Sequence, residues 1–388
     1  MKKHLFLASL AILTVLSSCK KSDDEASPSA SYSIPEAYRF SDAVYADAPS
    51  KAETTRLGML KYLEAVMRKA IPSASNIGAA AVDSVTLVRI FNNTSAPFDT
   101  TRWNTSGLNL ADENSGSTVI QTYLGRYAAA SQVATYNNTA TPPVTASQGV
   151  AGLDKNASNS YSLFGKDGIN YAQMMQKAQF GSLIIYQIIN RLDAIALLDN
   201  TNPSTTYTAQ ESAWDEAFGY AGFPRYSVDS LSTPTIASTI STKFFYLGNY
   251  SSETDNTTDL NATKTLVTAF IKGRAAISNK DNSTRDHQIE IIKTCLRKIL
   301  GAMVLQEYTE YGERKINNAA RNGLISEIIG LVVGMKYVPG KIISDAQIND
   351  LLTHLHANDT VNGIWQITDA DVDYVKNQII AIYGVHLK

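Results

Sequence analysis

The chain has 388 residues, of which 44% are hydrophobic and 18% charged, and its 34 Lys+Arg against 36 Asp+Glu give a formal net charge of -2. That apolar fraction excludes wholesale disorder, and the balanced charge argues against nucleic acid as the main partner, since phosphate binding needs a basic surface. Two cysteines cannot staple a fold of this size, and five histidines leave little material for a His-rich metal site.

Residues 1–18 begin with Lys2 and Lys3, continue through an apolar run from Leu5 to Leu16, and end on the small residues Ser17 and Ser18 before Cys19. A basic start, an apolar middle too short to span a bilayer and a small-residue end describe a secretory signal. The Leu16-Ser17-Ser18-Cys19 ending resembles a bacterial lipobox, which implies that Cys19 becomes the first residue of the mature chain and carries the acyl groups. Cleavage there leaves 32 bases against 36 acids, a net charge of -4. Ser22-Asp23-Asp24-Glu25 resembles the export signal of surface lipoproteins in Bacteroidetes-type bacteria, and Ala26 to Ser33 reads as a flexible leash. The expected organisation is a signal peptide at 1–18, a lipidated Cys and tether at 19–34, and one helical domain at 35–388.

Helical patterns dominate the rest. Leu57, Leu60, Leu63 and Met67 outline a first stripe. Phe180, Leu183, Ile184, Ile188, Leu192 and Ile195 form a broad one, that of a largely buried helix. Thr208 with Glu211, Ser283 with Asp286, Ser344 with Gln347 and Thr368 with Asp371 read as capping pairs opening four helices. Ile292, Cys295, Leu296, Ile299 and Met303, then Leu324, Ile325, Ile328, Ile329 and Val332, supply two further stripes. Residues 92–160 are rich in Asn, Thr, Ser and Ala and read as surface loops with one short helix at Val119–Val133. Ser227–Asp259 reads as a second polar loop, most flexible from Asn249 to Asp259. Phe244 to Leu247 is the best strand candidate. Asp83-Ser84-Val85, Asp99-Thr100-Thr101, Asp229-Ser230-Leu231 and Asp359-Thr360-Val361 resemble an O-glycosylation motif.

No HExxH, GxSxG, P-loop or GxGxxG signature is present. Cys295, on an apolar stripe, reads as a core thiol rather than a nucleophile. His287 and Glu290, at i and i+3 on one helix face, are the metal candidates, although acids also favour a helix start for the dipole alone. His354 and His356 point to nearly opposite faces, and His386 lies at an end expected to fray. The densest chemistry is Trp214-Asp215-Glu216-Ala217-Phe218-Gly219-Tyr220, two carboxylates among three aromatics. Arg274, on an apolar helix, and Glu327, between apolar stripe residues, are natural partners. Trp214, Asp215, Glu216, Arg274 and Glu327 are therefore candidates for one inward ligand site, against the alternative of structural ion pairs that pin helix register.

These segments resemble a family of Bacteroidetes lipoproteins, the DUF4856 family. The likeness runs through Tyr38-Arg39-Phe40, Thr55-Arg56-Leu57-Gly58-Met59-Leu60, the helix from Gln176 to Asn190, the Trp214–Tyr220 string, Gly273-Arg274-Ala275-Ala276-Ile277, Ser326-Glu327 and Met335-Lys336-Tyr337. It implies an all-α body, distantly imelysin-like: a helical bundle, in one version two packed helical halves, with long polar loops. Imelysin-like proteins are exported, linked with iron uptake, and were once classed as peptidases through a Gly-x-His-x-x-Glu motif. The chain departs from the expected histidines: Ser212 and Ala213 precede Trp214, Arg321 to Ile325 precede Ser326, and His287 follows Arg285 and Asp286 without a Gly.

The leading expectation is a non-enzymatic lipoprotein of the outer membrane, facing the cell surface. It would bind iron or a haem-like ligand and deliver it to an outer-membrane uptake receptor, with the membrane as its other partner and no nucleic acid. The alternatives are a metal-dependent peptidase or hydrolase resting on His287 and Glu290, and a structural or adhesion-type surface protein.

Overall fold

A computed structural model describes residues 32–38, 40, 51–72, 80–135, 144–201, 207–223, 246–359 and 362–388. The signal region, Cys19 and the tether up to Ser31 lie outside these residues, as do Asp229 to Leu231, Phe244, Phe245, Thr360 and Val361. Contacts divide the chain at Ser33, and Ile34–Lys388 forms one unit.

Among the described residues that unit is all-α apart from one hairpin. Its helices are α1 (Lys51–Arg68), α2 (Ser84–Asn92), α3 (Thr101–Asn104), α4 (Ser117–Thr135), α5 (Tyr171–Gln179), α6 (Tyr186–Ala194), α7 (Ala209–Ala221), α8 (Leu247–Thr257), α9 (Ala262–Ser278), α10 (Asn282–Arg314), α11 (Asn318–Met335), α12 (Asp345–His354) and α13 (Asp369–Tyr383). A π-helical turn, Phe180–Ile185, joins α5 to α6 without a break. Strands β1 (Gly152–Lys155) and β2 (Tyr161–Phe164) pair antiparallel, with Gly152 opposite Phe164.

The apolar stripes make the core. Leu57, Leu60, Leu63 and Met67 are buried on α1, and every residue of the Phe180–Ile195 stripe is buried. The run Tyr171–Leu197 is long and apolar enough to cross a membrane, but 61% of its most apolar window is buried inside the body. It packs along α11, which also lies against α10, and α10 packs on α9. The closest of these contacts depend on glycine. A Cβ on Gly181 would lie 2.0 Å from the Gly334 carbonyl oxygen, and one on Gly330 2.4 Å from that of Met174. Helix backbones meet there directly.

Three of the four expected capping pairs are closed capping boxes, at Thr208/Glu211, Ser344/Gln347 and Thr368/Asp371. The fourth start is different. Asp281, not Ser283, caps α10 by accepting from the Thr284 amide, and Asp286 pairs with Arg285 instead. The 92–160 region holds more structure than surface loops: α4 extends the expected short helix at both ends and packs on α5, and the hairpin follows it. The stretch expected to be most flexible contains α8. Its polarity is absorbed locally, because Ser251 and Thr254 donate to carbonyls three residues back (Gly248 and Ser251, each 2.9 Å) and so can face inward. Leu247, at the end of the strand candidate, opens this helix. Asp83 and Thr100 are the N-cap residues of α2 and α3. The C-terminus is tied down rather than frayed. The His386 amide donates to Asp259 (2.9 Å), its ring Nδ1 lies 3.1 Å from the same carboxylate, and the Lys388 amide donates to the Thr257 carbonyl.

Candidate functional site

The five residues expected to share a site are distributed over the core and three separate polar centres. Trp214 is fully buried and its indole N–H donates to the Phe270 carbonyl at 2.9 Å. Gly273 makes room for it, since a Cβ there would lie 2.2 Å from the indole ring. Trp214 is thus a packing anchor between α7 and α9 rather than a ligand contact.

Asp215 and Arg274 do converge. Arg274 Nε lies 3.0 Å from Asp215 Oδ1, and its Nη1 lies 2.8 Å from Glu211. The N-terminal segment covers this pair. Tyr38 stacks on Phe218 with centroids 3.6 Å apart, its hydroxyl donates to Asp215 at 2.5 Å, and the guanidinium sits 5.0 Å from the Phe40 ring centroid. The first centre is therefore a clamp for the chain's own start. It is closed by Tyr38 and Phe40, which the sequence reading saw only as motif residues.

Glu216 belongs elsewhere. Successive helix residues point about 100° apart, so Asp215 looks towards α9 while Glu216 reaches α6. There Arg191 Nε lies 2.9 Å from Glu216. The rest of this second centre was not anticipated: Glu53 and Arg56 on α1, Glu113 in the turn before α4, and Tyr220 on α7. Arg56 and Arg191 approach Glu113 at 3.3 and 3.4 Å, and both approach Glu53 Oε1, at 3.7 and 3.6 Å. Tyr220 donates to Glu113 at 3.4 Å, and its ring lies 4.9 Å beneath the Arg191 guanidinium. Glu53 is 2% exposed, and its Oε2 has no hydrogen-bond partner. Burial, then the Glu216 charge, pushes its carboxyl up to about 7. The upper rim is open: the side chains of Glu216 and Glu113 are 31% and 24% exposed.

Glu327 is in a third centre, between α5, α8, α10 and α11. It pairs with Lys177, whose ammonium also reaches Glu307 at 2.9 Å and the Tyr250 hydroxyl at 2.5 Å. The Lys177 side chain is fully buried. Burial alone would lower its pKa, but Glu327 and Glu307 raise it overall. Burial, then the nearby Glu327 charge, pushes Glu307 up to about 8. One lysine between two acids leaves one carboxyl charge uncompensated, which favours a proton on Glu307. Gln173 donates to Glu327 at 2.9 Å and completes the closure.

His287 and Glu290 are exposed, and Glu290 is bridged by Lys293 at 3.1 Å. Among the described residues no three His, Cys, Asp or Glu side chains group as metal ligands. Cys295 is a buried free thiol, and burial raises its pKa to about 12, so no reactive thiolate forms near neutral pH.

Each centre takes some of its residues from the segments that carry the family likeness, and a family described as a domain of unknown function (DUF4856) matches residues 35–386. The chain belongs to the DUF4856 family. The match spans the helical body from just before Tyr38 to His386, so all three centres of this DUF4856 protein lie inside it. No curated protein matches the chain, and no solved structure does.

The raised acids set a pH dependence. A carboxyl whose pKa is higher folded than unfolded binds its proton more tightly in the native state. Its contribution is complete below the unfolded value near 4.5 and is lost as pH rises through the folded value. For Glu53 and Glu307 the window is from about 4.5 to about 7 and about 8. The urea midpoint is expected to fall between pH 5 and pH 8.5, and Glu53→Gln should flatten the part of that slope below pH 7. A midpoint that rises across this window would contradict the assignment.

Proposed function

We propose that this DUF4856 protein is a lipid-anchored binding protein of the cell envelope, held at the outer membrane through Cys19 with its body at the cell surface. In this reading it serves nutrient acquisition, takes chelated iron or haem as cargo and hands it to an outer-membrane uptake receptor. The observation that carries the binding role is the second centre, a part-exposed cluster with two guanidiniums and an unpartnered buried carboxyl oxygen. Binding sites are concave regions with a few convergent polar groups, and they are where perturbed carboxyls collect. The anchoring rests on the basic-apolar-small leader ending at Cys19. The cargo rests on the imelysin-like resemblance.

The test is calorimetry of the mature chain, residues 19–388, with ferric citrate and with haemin. Saturable binding of either one is expected. A chain that binds neither, nor any other iron chelate, refutes the cargo. For the anchor, Cys19→Ala is expected to abolish incorporation of labelled fatty acid and to release the protein from membranes. Unchanged membrane retention would refute it.

A further inference from the structure

We propose that Arg56 and Arg191 form a carboxylate clamp for a small hydroxy- or polycarboxylate, and that the side chain of Glu113 occupies it as a built-in stand-in. This names the ligand chemistry of the cluster and rests on its reading as a binding site.

The geometry of Glu113 is the starting point. Its two oxygens are split between the arginines, Oε1 3.3 Å from Arg56 Nη2 and Oε2 3.4 Å from Arg191 Nη2. The Tyr220 hydroxyl approaches Oε2 at 3.4 Å. A well-formed guanidinium–carboxylate bond measures about 2.7–2.9 Å, and Arg191 achieves this with Glu216 at 2.9 Å. Arg191 therefore holds Glu216 closely and Glu113 loosely, with its Nη1 taken up by Gln187 Oε1. The Glu113 carbonyl accepts from Gln187 at 2.6 Å, and Arg56 Nε donates to the Asn109 carbonyl at 3.1 Å, so the turn is fixed to α6 and α1. The side chain hangs from a pinned backbone. A free carboxylate has no such tether and can take one short contact from the Nη2 of each arginine. Admission of the ligand requires the Glu113 side chain, already 24% exposed, to turn out towards solvent.

Glu53 extends the recognition beyond one carboxylate. Its carboxyl lies in the same cluster, with Oε1 near both arginines and Oε2 buried and unpartnered. An orphaned buried oxygen of this kind is destabilising until a partner arrives. A ligand hydroxyl or protonated second carboxyl can supply that partner, which selects a hydroxy- or polycarboxylate over acetate. Charge agrees. With Glu113 turned out, a ligand carboxylate takes over the negative charge it supplied to the two arginines.

The probes are iron-free citrate and acetate, titrated calorimetrically into the mature wild-type chain and into Glu113→Ala, Glu113→Gln and Arg191→Lys variants. Thermal melts confirm that each variant is folded. Glu113→Ala, with the stand-in removed, is expected to bind citrate at least tenfold more tightly than wild type. Glu113→Gln should show a smaller gain, Arg191→Lys should lose binding by tenfold or more, and acetate should bind far more weakly throughout. Equal citrate affinity in wild type and Glu113→Ala overturns the stand-in, as does citrate binding indifferent to Arg191→Lys. If haemin or ferric citrate binds the wild type while Glu113 and Arg191 variants change nothing, the clamp is wrong and the binding function stands. If citrate obeys the clamp pattern but no iron form binds, the clamp stands and the iron cargo falls.

Discussion

Lys177→Ala is expected to lower the unfolding free energy by about 3–5 kcal/mol, the usual cost of removing one partner of a buried ion pair. The side chain is fully buried between Glu307 and Glu327, so its loss leaves two carboxyls facing each other without a cation. It also removes the ammonium from the Tyr250 ring, 3.8 Å away. Neutralising the whole centre is a different matter. Lys177→Met combined with Glu307→Leu and Glu327→Gln should recover most of the loss, because a well-packed apolar set often matches a buried ion pair. Urea unfolding with an unchanged slope is the measurement. A loss under about 1 kcal/mol for Lys177→Ala would mean that the ammonium is not confined between the two acids.

Gly181→Ala is expected to cost about 3 kcal/mol, at the upper end of overpacking penalties. Its new methyl group would lie 2.0 Å from the Gly334 oxygen and 2.3 Å from the Gly334 carbonyl carbon. Both are backbone atoms, so no side chain can turn aside and α11 must move off the π-helical turn. The same interface carries the third centre, since a Cβ on Gly330 would lie 2.7 Å from the Lys177 Cβ. Gly323→Ala and Gly125→Ala are the controls. Both lie in helices with open space where the methyl would go, and each should stabilise by about 0.5–1 kcal/mol. Thermal melts of the three variants check the contrast; equal shifts would show that α11 does not approach this closely.

The helical fold was legible because its stripes keep period and its caps use hydroxyls and acids at fixed spacing. Where sequence and structure part, polarity misled in both directions. The Asn249–Asp259 stretch read as loop because its residues are polar, yet Ser251 and Thr254 satisfy themselves against their own helix. The candidate site was half legible. Asp215 and Arg274 pair as expected. Glu216 and Glu327 do not join them, because adjacent helix positions diverge and because Glu327 had a partner hidden on another stripe. Lys177 sits three residues before Phe180, in phase with the most apolar helix of the chain. Glu307 follows Met303 by four on the next stripe. A charge in phase with an apolar stripe is the signal that would have found both. Glu53, Arg56 and Glu113 are brought together only by tertiary packing of α1 and the turn before α4 on α6 and α7, and no local spacing encodes that.

The central claim is that the interior charges form separate centres, with the ligand cluster at Glu216 independent of the buried lysine at Glu327. Double-mutant cycles in urea unfolding test it most directly. Lys177→Met with Glu327→Gln should show a coupling of at least about 1 kcal/mol, as expected for groups in one network. Glu216→Gln with Glu327→Gln should add to within about 0.5 kcal/mol, as expected for independent sites. A coupling above about 1 kcal/mol between Glu216 and Glu327 would contradict the account and restore a single shared site.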